Sequence, residues 1–149
     1  MYADGTSVSV ARSREEIEKL IRKHGARKVG TYTDEDSAVV TFQTADRTVR
    51  FSIPMPPPSD ADVKAYTSRS HKSNDEARQR AFDAEERRRW RCLVLVIKAK
   101  LEGVENNVET FDEAFLAHIV TPGGRTILEE LRMIEKTSGQ PLLGPIGGN

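Results

Sequence analysis

The sequence has a single cysteine, Cys92, in 149 residues, so no disulfide can form within the chain. Its place in the apolar run Cys92–Ile97 reads as a packed core thiol and points to a reducing compartment. That run is far shorter than the ~20 apolar residues that span a bilayer, so no membrane partner is expected, and the chain reads as a soluble cytoplasmic protein without a signal peptide. Net charge is also lacking: 23 Lys and Arg balance 23 Asp and Glu. A protein that coats nucleic acid is usually basic overall, because phosphate neutralisation supplies most of its affinity. Motifs of common chemistry are missing too. No Walker loop, GxGxxG or GxSxG occurs. His24, His71 and His118 fall on separate segments without metal-ligand spacing. The expectation is therefore a non-enzymatic protein with no catalytic residues, no metal and no cofactor.

What is present predicts one domain of the α+β class. Residues 6–10 alternate as a short strand. Ser13-x-x-Glu16 has capping-box spacing and opens a helix with the stripe Ile17, Leu20, Ile21, ended by Gly25. Strands follow over 28–33, 38–44 and 48–53; in the last, Val49, Phe51 and Ile53 point in while Arg50 and Ser52 point out. The first part, 6–53, is thus a β-α-β-β-β unit: a small, mostly antiparallel four-stranded sheet with one packed helix. Pro54-Met55-Pro56-Pro57-Pro58 stops it, and 54–74 reads as a polar linker anchored only by Val63 and Tyr66.

The helical part, 75–137, opens with Ser73-x-x-Glu76 and a long helix to about Gly103. Its stripe Trp90, Leu93, Val94, Ile97, Leu101 is helical and close to heptad spacing. At 1.5 Å per residue this helix is longer than the sheet it serves, so its first half projects unless the linker or another subunit covers it. Two short C-terminal helices start at the capping boxes Thr110-x-x-Glu113 and Thr126-x-x-Glu129, separated by Pro122-Gly123-Gly124. The tail 138–149 reads as loosely held.

REEIEKLIRKHGA, AVVTFQTADRTVRFSIPMP, RRRWRCLVLVIKAKLEGVE and FLAHIVTPGGRTI follow one another over residues 8–130. This order resembles a widespread, functionally uncharacterised family of small proteins of tailed bacteriophages and prophages. The resemblance brings no catalytic residues. It implies a phage accessory role, in DNA metabolism or in countering host defence, inside the host cytoplasm.

The densest feature is EERRRWRCLVLVIKAKLEG, 85–103, with six basic and three acidic residues in a neutral protein. A solvated helix face with the pairs Asp83–Arg87 and Glu85–Arg89 accounts for part of it. The remaining arginines suit phosphate, because guanidinium is a rigid fork matching phosphate oxygens. Candidate ligand residues are Arg87, Arg88, Arg91 and Lys98, with Trp90 as a stacking platform or core anchor and Arg47 and Arg50 reaching in from the hairpin. The seam Trp90, Leu93, Val94, Ile97, Leu101 suits pairing with a second copy, so a homo-oligomer is expected. The favoured reading is a binder of a phosphate-bearing nucleotide that sequesters a host immune signal. The alternatives are a DNA- or RNA-binding accessory protein in phage replication or recombination, and an inhibitor that docks on a host protein.

Overall fold

The structure, a computed structural model, describes residues 7–33, 36–70 and 74–144. Its elements are α1 (Val10–Lys23), β1 (Arg27–Thr33), β2 (Ser37–Gln43), β3 (Thr48–Pro54), α2 (Asp60–Ser70), α3 (Asn74–Glu105), α4 (Phe111–Phe115), a 3-10 turn (Leu116–His118) and α5 (Ile127–Ser138). The class is α+β, as expected.

The sheet is a three-stranded antiparallel meander in the order β1-β2-β3. Val40 pairs with Phe51 and Phe42 with Val49, so the inward residues of β2 and β3 share one face. That face meets Ile17 and Ile21 of α1 and the stripe Trp90, Leu93, Val94, Ile97, Leu101 of α3, with Phe115 closing one end. Each such side chain contributes roughly 1.5–3 kcal/mol when fully buried.

The fourth strand does not form. Residues 7–9 belong to no strand, and Val10 already opens α1; Thr6 lies outside the described residues. The helix cap moves with it. Ser9, not Ser13, accepts the amide hydrogen bond of Arg12 at 3.1 Å. Ser13 instead falls on the buried face of α1, and Glu16 is free to reach across to α3. Gly25, with φ +88°, turns the chain out of α1 in the left-handed region that favours glycine.

The expected linker is partly helix. In α2, Ser59 and Asp62 cap one another: the Asp62 amide donates to Ser59 Oγ and the Ser59 amide to Asp62 Oδ2, both at 3.2 Å. Val63 is the buried anchor, and α2 packs along the first turns of α3, which bury Ala77 and Ala81. The projecting half of α3 is thus covered by α2. The capping serine of the box Ser73-x-x-Glu76 lies outside the described residues.

Both C-terminal boxes are present, at Thr110 with Glu113 and Thr126 with Glu129. The segment between them borders β3: the Val120 amide donates to the Thr48 carbonyl at 2.8 Å, and Ile119 bridges to Val49. At the opposite edge, Arg14 donates from Nε to Thr31 Oγ1 at 2.9 Å and from its guanidinium to the Thr31 carbonyl, which occupies an acceptor of that edge strand.

Candidate ligand-binding site

The arginines of α3 diverge, because successive residues on a helix step 100° around its axis. Arg91 points at α1, where its two terminal nitrogens donate to Glu16 at 2.6 and 3.3 Å. These hydrogen bonds hold the Glu16 carboxyl below the usual range, against the opposing effect of burial. Arg88 pairs with Glu85. Arg89 donates to Glu85 at 2.7 Å and to the Pro54 carbonyl at 2.8 Å, tying α3 to the end of β3. Lys98 is exposed. It lies eleven residues beyond Arg87, about 16 Å along the axis.

Trp90 is fully buried, so it is a core anchor and no stacking platform. The Arg14 guanidinium carbon lies 5.6 Å from its ring centroid. The proposed subunit seam is corrected in the same way. Trp90, Leu93, Val94, Ile97 and Leu101 are each at most 4% exposed within this one chain, against its own sheet and α1, and present nothing to a second copy.

The hairpin arginines hold C-terminal elements in place. Arg47 donates twice to Asp112, at 2.9 and 3.0 Å, and this pair holds the Asp112 carboxyl below its ordinary value. Arg50 donates to Glu129 at 2.9 Å and to the Gly124 carbonyl at 3.1 Å. Neither lines the groove beside Arg87.

That groove, about 580 Å³, runs between α2 and the first half of α3 and is lined by Tyr66, Glu76, Gln79, Arg80, Asp83 and Arg87. The expected Asp83–Arg87 pair is absent among the described residues, and Asp83 instead accepts from Gln79 Nε2 at 2.8 Å. Arg87 and Arg80, two turns apart on one side of α3, make no ion pair among the described residues, and Tyr66 supplies an aromatic ring beside them. Sequence reasoning missed Arg80 and Tyr66. The seven-residue spacing of Arg80 and Arg87 was the available signal for the first; Tyr66 was hidden by reading α2 as linker.

A second cleft, about 780 Å³, has an apolar floor that includes Ile21, Phe42, Leu101 and Phe111. On its rim, Arg47 pairs with Asp112, and His24 Nε2 lies 3.1 Å from a Glu105 carboxylate oxygen. The other His24 nitrogen faces the Leu20 carbonyl at 2.9 Å. His118 stacks on Phe51 at 4.0 Å, and burial, aided by Lys100, pushes its pKa down. His71 lies outside the described residues. Among those described, no group of three His, Cys, Asp or Glu side chains is placed to hold a metal ion, and no helix is long and apolar enough to cross a membrane. No family model matches the chain, and no curated protein or solved structure matches it.

Proposed function

We propose that this protein is a non-enzymatic binder of a small phosphate-bearing nucleotide, held in the groove between α2 and α3. The observation that carries the reading is the state of Arg87. Its neighbours Arg88, Arg89 and Arg91 are all engaged with carboxylates, while Arg87 faces the groove beside Arg80 without an ion pair among the described residues. Two guanidinium forks grip phosphate oxygens, and Tyr66 offers a face to a base. Glu76 and Asp83 on the same walls accept hydrogen bonds from ribose hydroxyls and base amino groups, and repel a long polyanion. This balance favours a compact nucleotide over duplex DNA. The phage-like order of the sequence supplies the biological setting: sequestration of a nucleotide signal of host immunity.

Calorimetric titration with nucleoside mono- and diphosphates and cyclic mono- and dinucleotides tests it. Saturable 1:1 binding of at least one supports the reading; absence of heat with all of them refutes it. Salt-steep binding of an oligonucleotide in their place assigns the protein to nucleic acid instead.

A further inference from the structure

We propose that the chain forms an antiparallel homodimer through the outward face of α3, centred on Leu95 and opposite to the stripe that builds the core. At 100° per residue, the five core residues Trp90, Leu93, Val94, Ile97 and Leu101 share one arc of the helix. The opposite arc between 88 and 102 holds Cys92, Leu95, Val96 and Ala99. Val96 is 44% exposed in the second half of the longest helix, Ala99 is exposed, and Cys92 and Leu95 are half-buried. A solvated helix face normally carries charge there; this one is apolar along two turns. It is flanked but not filled: α1 borders it through Arg91 and Glu16, and α4 borders the other side, where Lys100 Nζ donates to the Ala114 carbonyl at 2.6 Å. Nearer the start of α3 the same side buries Ala77 and Ala81 where α2 packs, so the fold already uses this side of α3 to receive a helix.

The ends of the face identify the occupant as a second copy in antiparallel orientation. Arg88, which also pairs with Glu85 of its own chain and keeps a partly exposed guanidinium, stands seven residues before Leu95, and Glu102 stands seven residues after it. Glu109 adds a second carboxylate at that acidic end, 3.2 Å from the point a Cβ on Gly103 would occupy. A two-fold axis at Leu95 sets Arg88 of each copy against Glu102 of the other, over about 21 Å of helix. Parallel pairing would oppose Arg88 to Arg88 and Lys98 to Lys98. Antiparallel pairing also aligns the two helix dipoles favourably. The interface is independent of the nucleotide groove, so either can fail without the other.

The register gives a specific chemical test. Cys92 of one copy lies beside Ala99 of the other, whereas the two Cys92 residues are separated by about 9 Å along the axis in addition to the interhelical distance. That separation is too great for a disulfide. Within one chain, positions 92 and 99 are two turns apart and cannot bond either. Sedimentation equilibrium of the full chain is expected to give twice the protomer mass, and Val96→Glu to give the protomer mass with helix content by circular dichroism unchanged. Oxidised Ala99→Cys is expected to run as a covalent dimer on a non-reducing gel, with the wild type and Cys92→Ser/Ala99→Cys remaining uncrosslinked. A monomeric wild type overturns the proposal. So does a dimer unaffected by Val96→Glu, or one in which Ala99→Cys fails to cross-link.

Discussion

Arg91 and Glu16 join α3 to α1 through two hydrogen bonds, at 2.6 and 3.3 Å, with the Arg91 side chain only 15% exposed. The pair divides the arginine cluster into residues that hold the fold and a residue available to a ligand. Arg91→Ala is expected to remove both hydrogen bonds and part of the α1–α3 packing, lowering stability by about 1–2 kcal/mol, since Glu16 keeps contact with water. A urea titration followed by Trp90 fluorescence measures this. An unchanged midpoint would remove Arg91 from the structural set.

Ser13 gives a prediction of opposite sign. Its hydroxyl is fully buried on α1 with no hydrogen-bond partner among the described residues, because the helix starts at Val10 and the capping task falls to Ser9. Ser13→Ala removes a desolvated polar group and keeps the packing volume nearly constant. Stability is expected to rise by about 1 kcal/mol, seen as a higher thermal midpoint. A lower midpoint would mean that the hydroxyl has a partner in solution.

Acidification is expected to weaken the fold in two stages. Burial holds the folded pKa of His118 below its ordinary 6.5. The unfolded chain therefore takes up a proton first, so this contribution is complete above about pH 6.5 and is lost as pH falls from there towards the folded value. Glu16, Asp112, Glu113 and Glu129 are all held below their ordinary values by hydrogen bonds, and their contributions disappear at lower pH, as each is protonated. Glu86, raised by burial and by Asp83, acts in the opposite sense. Thermal midpoints between pH 8 and 3 test the order. His118→Phe, which keeps an aromatic ring on Phe51, should flatten the curve between about pH 7 and 5 and leave the acid limb; a curve that stays as steep would exclude His118 as the cause.

Much of the fold was legible because periodicity reports burial directly. The alternation of Val49, Phe51 and Ile53, the stripe from Trp90 to Leu101 and the boxes at Thr110 and Thr126 all correspond to observed elements. Two local errors have local causes. Val8 and Val10 alternate over too short a stretch to separate a strand from a helix entrance, and Ser9 competes with Ser13 as a cap. Helix α2 has little amphipathic signal, since its sheltered side rests on one long helix and needs little more than Val63 as anchor. The candidate site was less legible for a different reason. Arginine density is visible in sequence, but the partners that neutralise Arg47, Arg50 and Arg91 come from 65 to 79 residues away. Only the tertiary structure separates those residues from Arg87.

The most direct test of the central claim compares nucleotide binding by the wild type, Arg87→Ala and Arg91→Ala in the same calorimetric titration, with thermal midpoints measured alongside. The expected result is saturable binding by the wild type, a loss of at least about tenfold in Arg87→Ala at unchanged midpoint, and retained affinity in Arg91→Ala at lowered midpoint. Binding by Arg87→Ala equal to the wild type, or no binding of any nucleotide by the wild type, would contradict it.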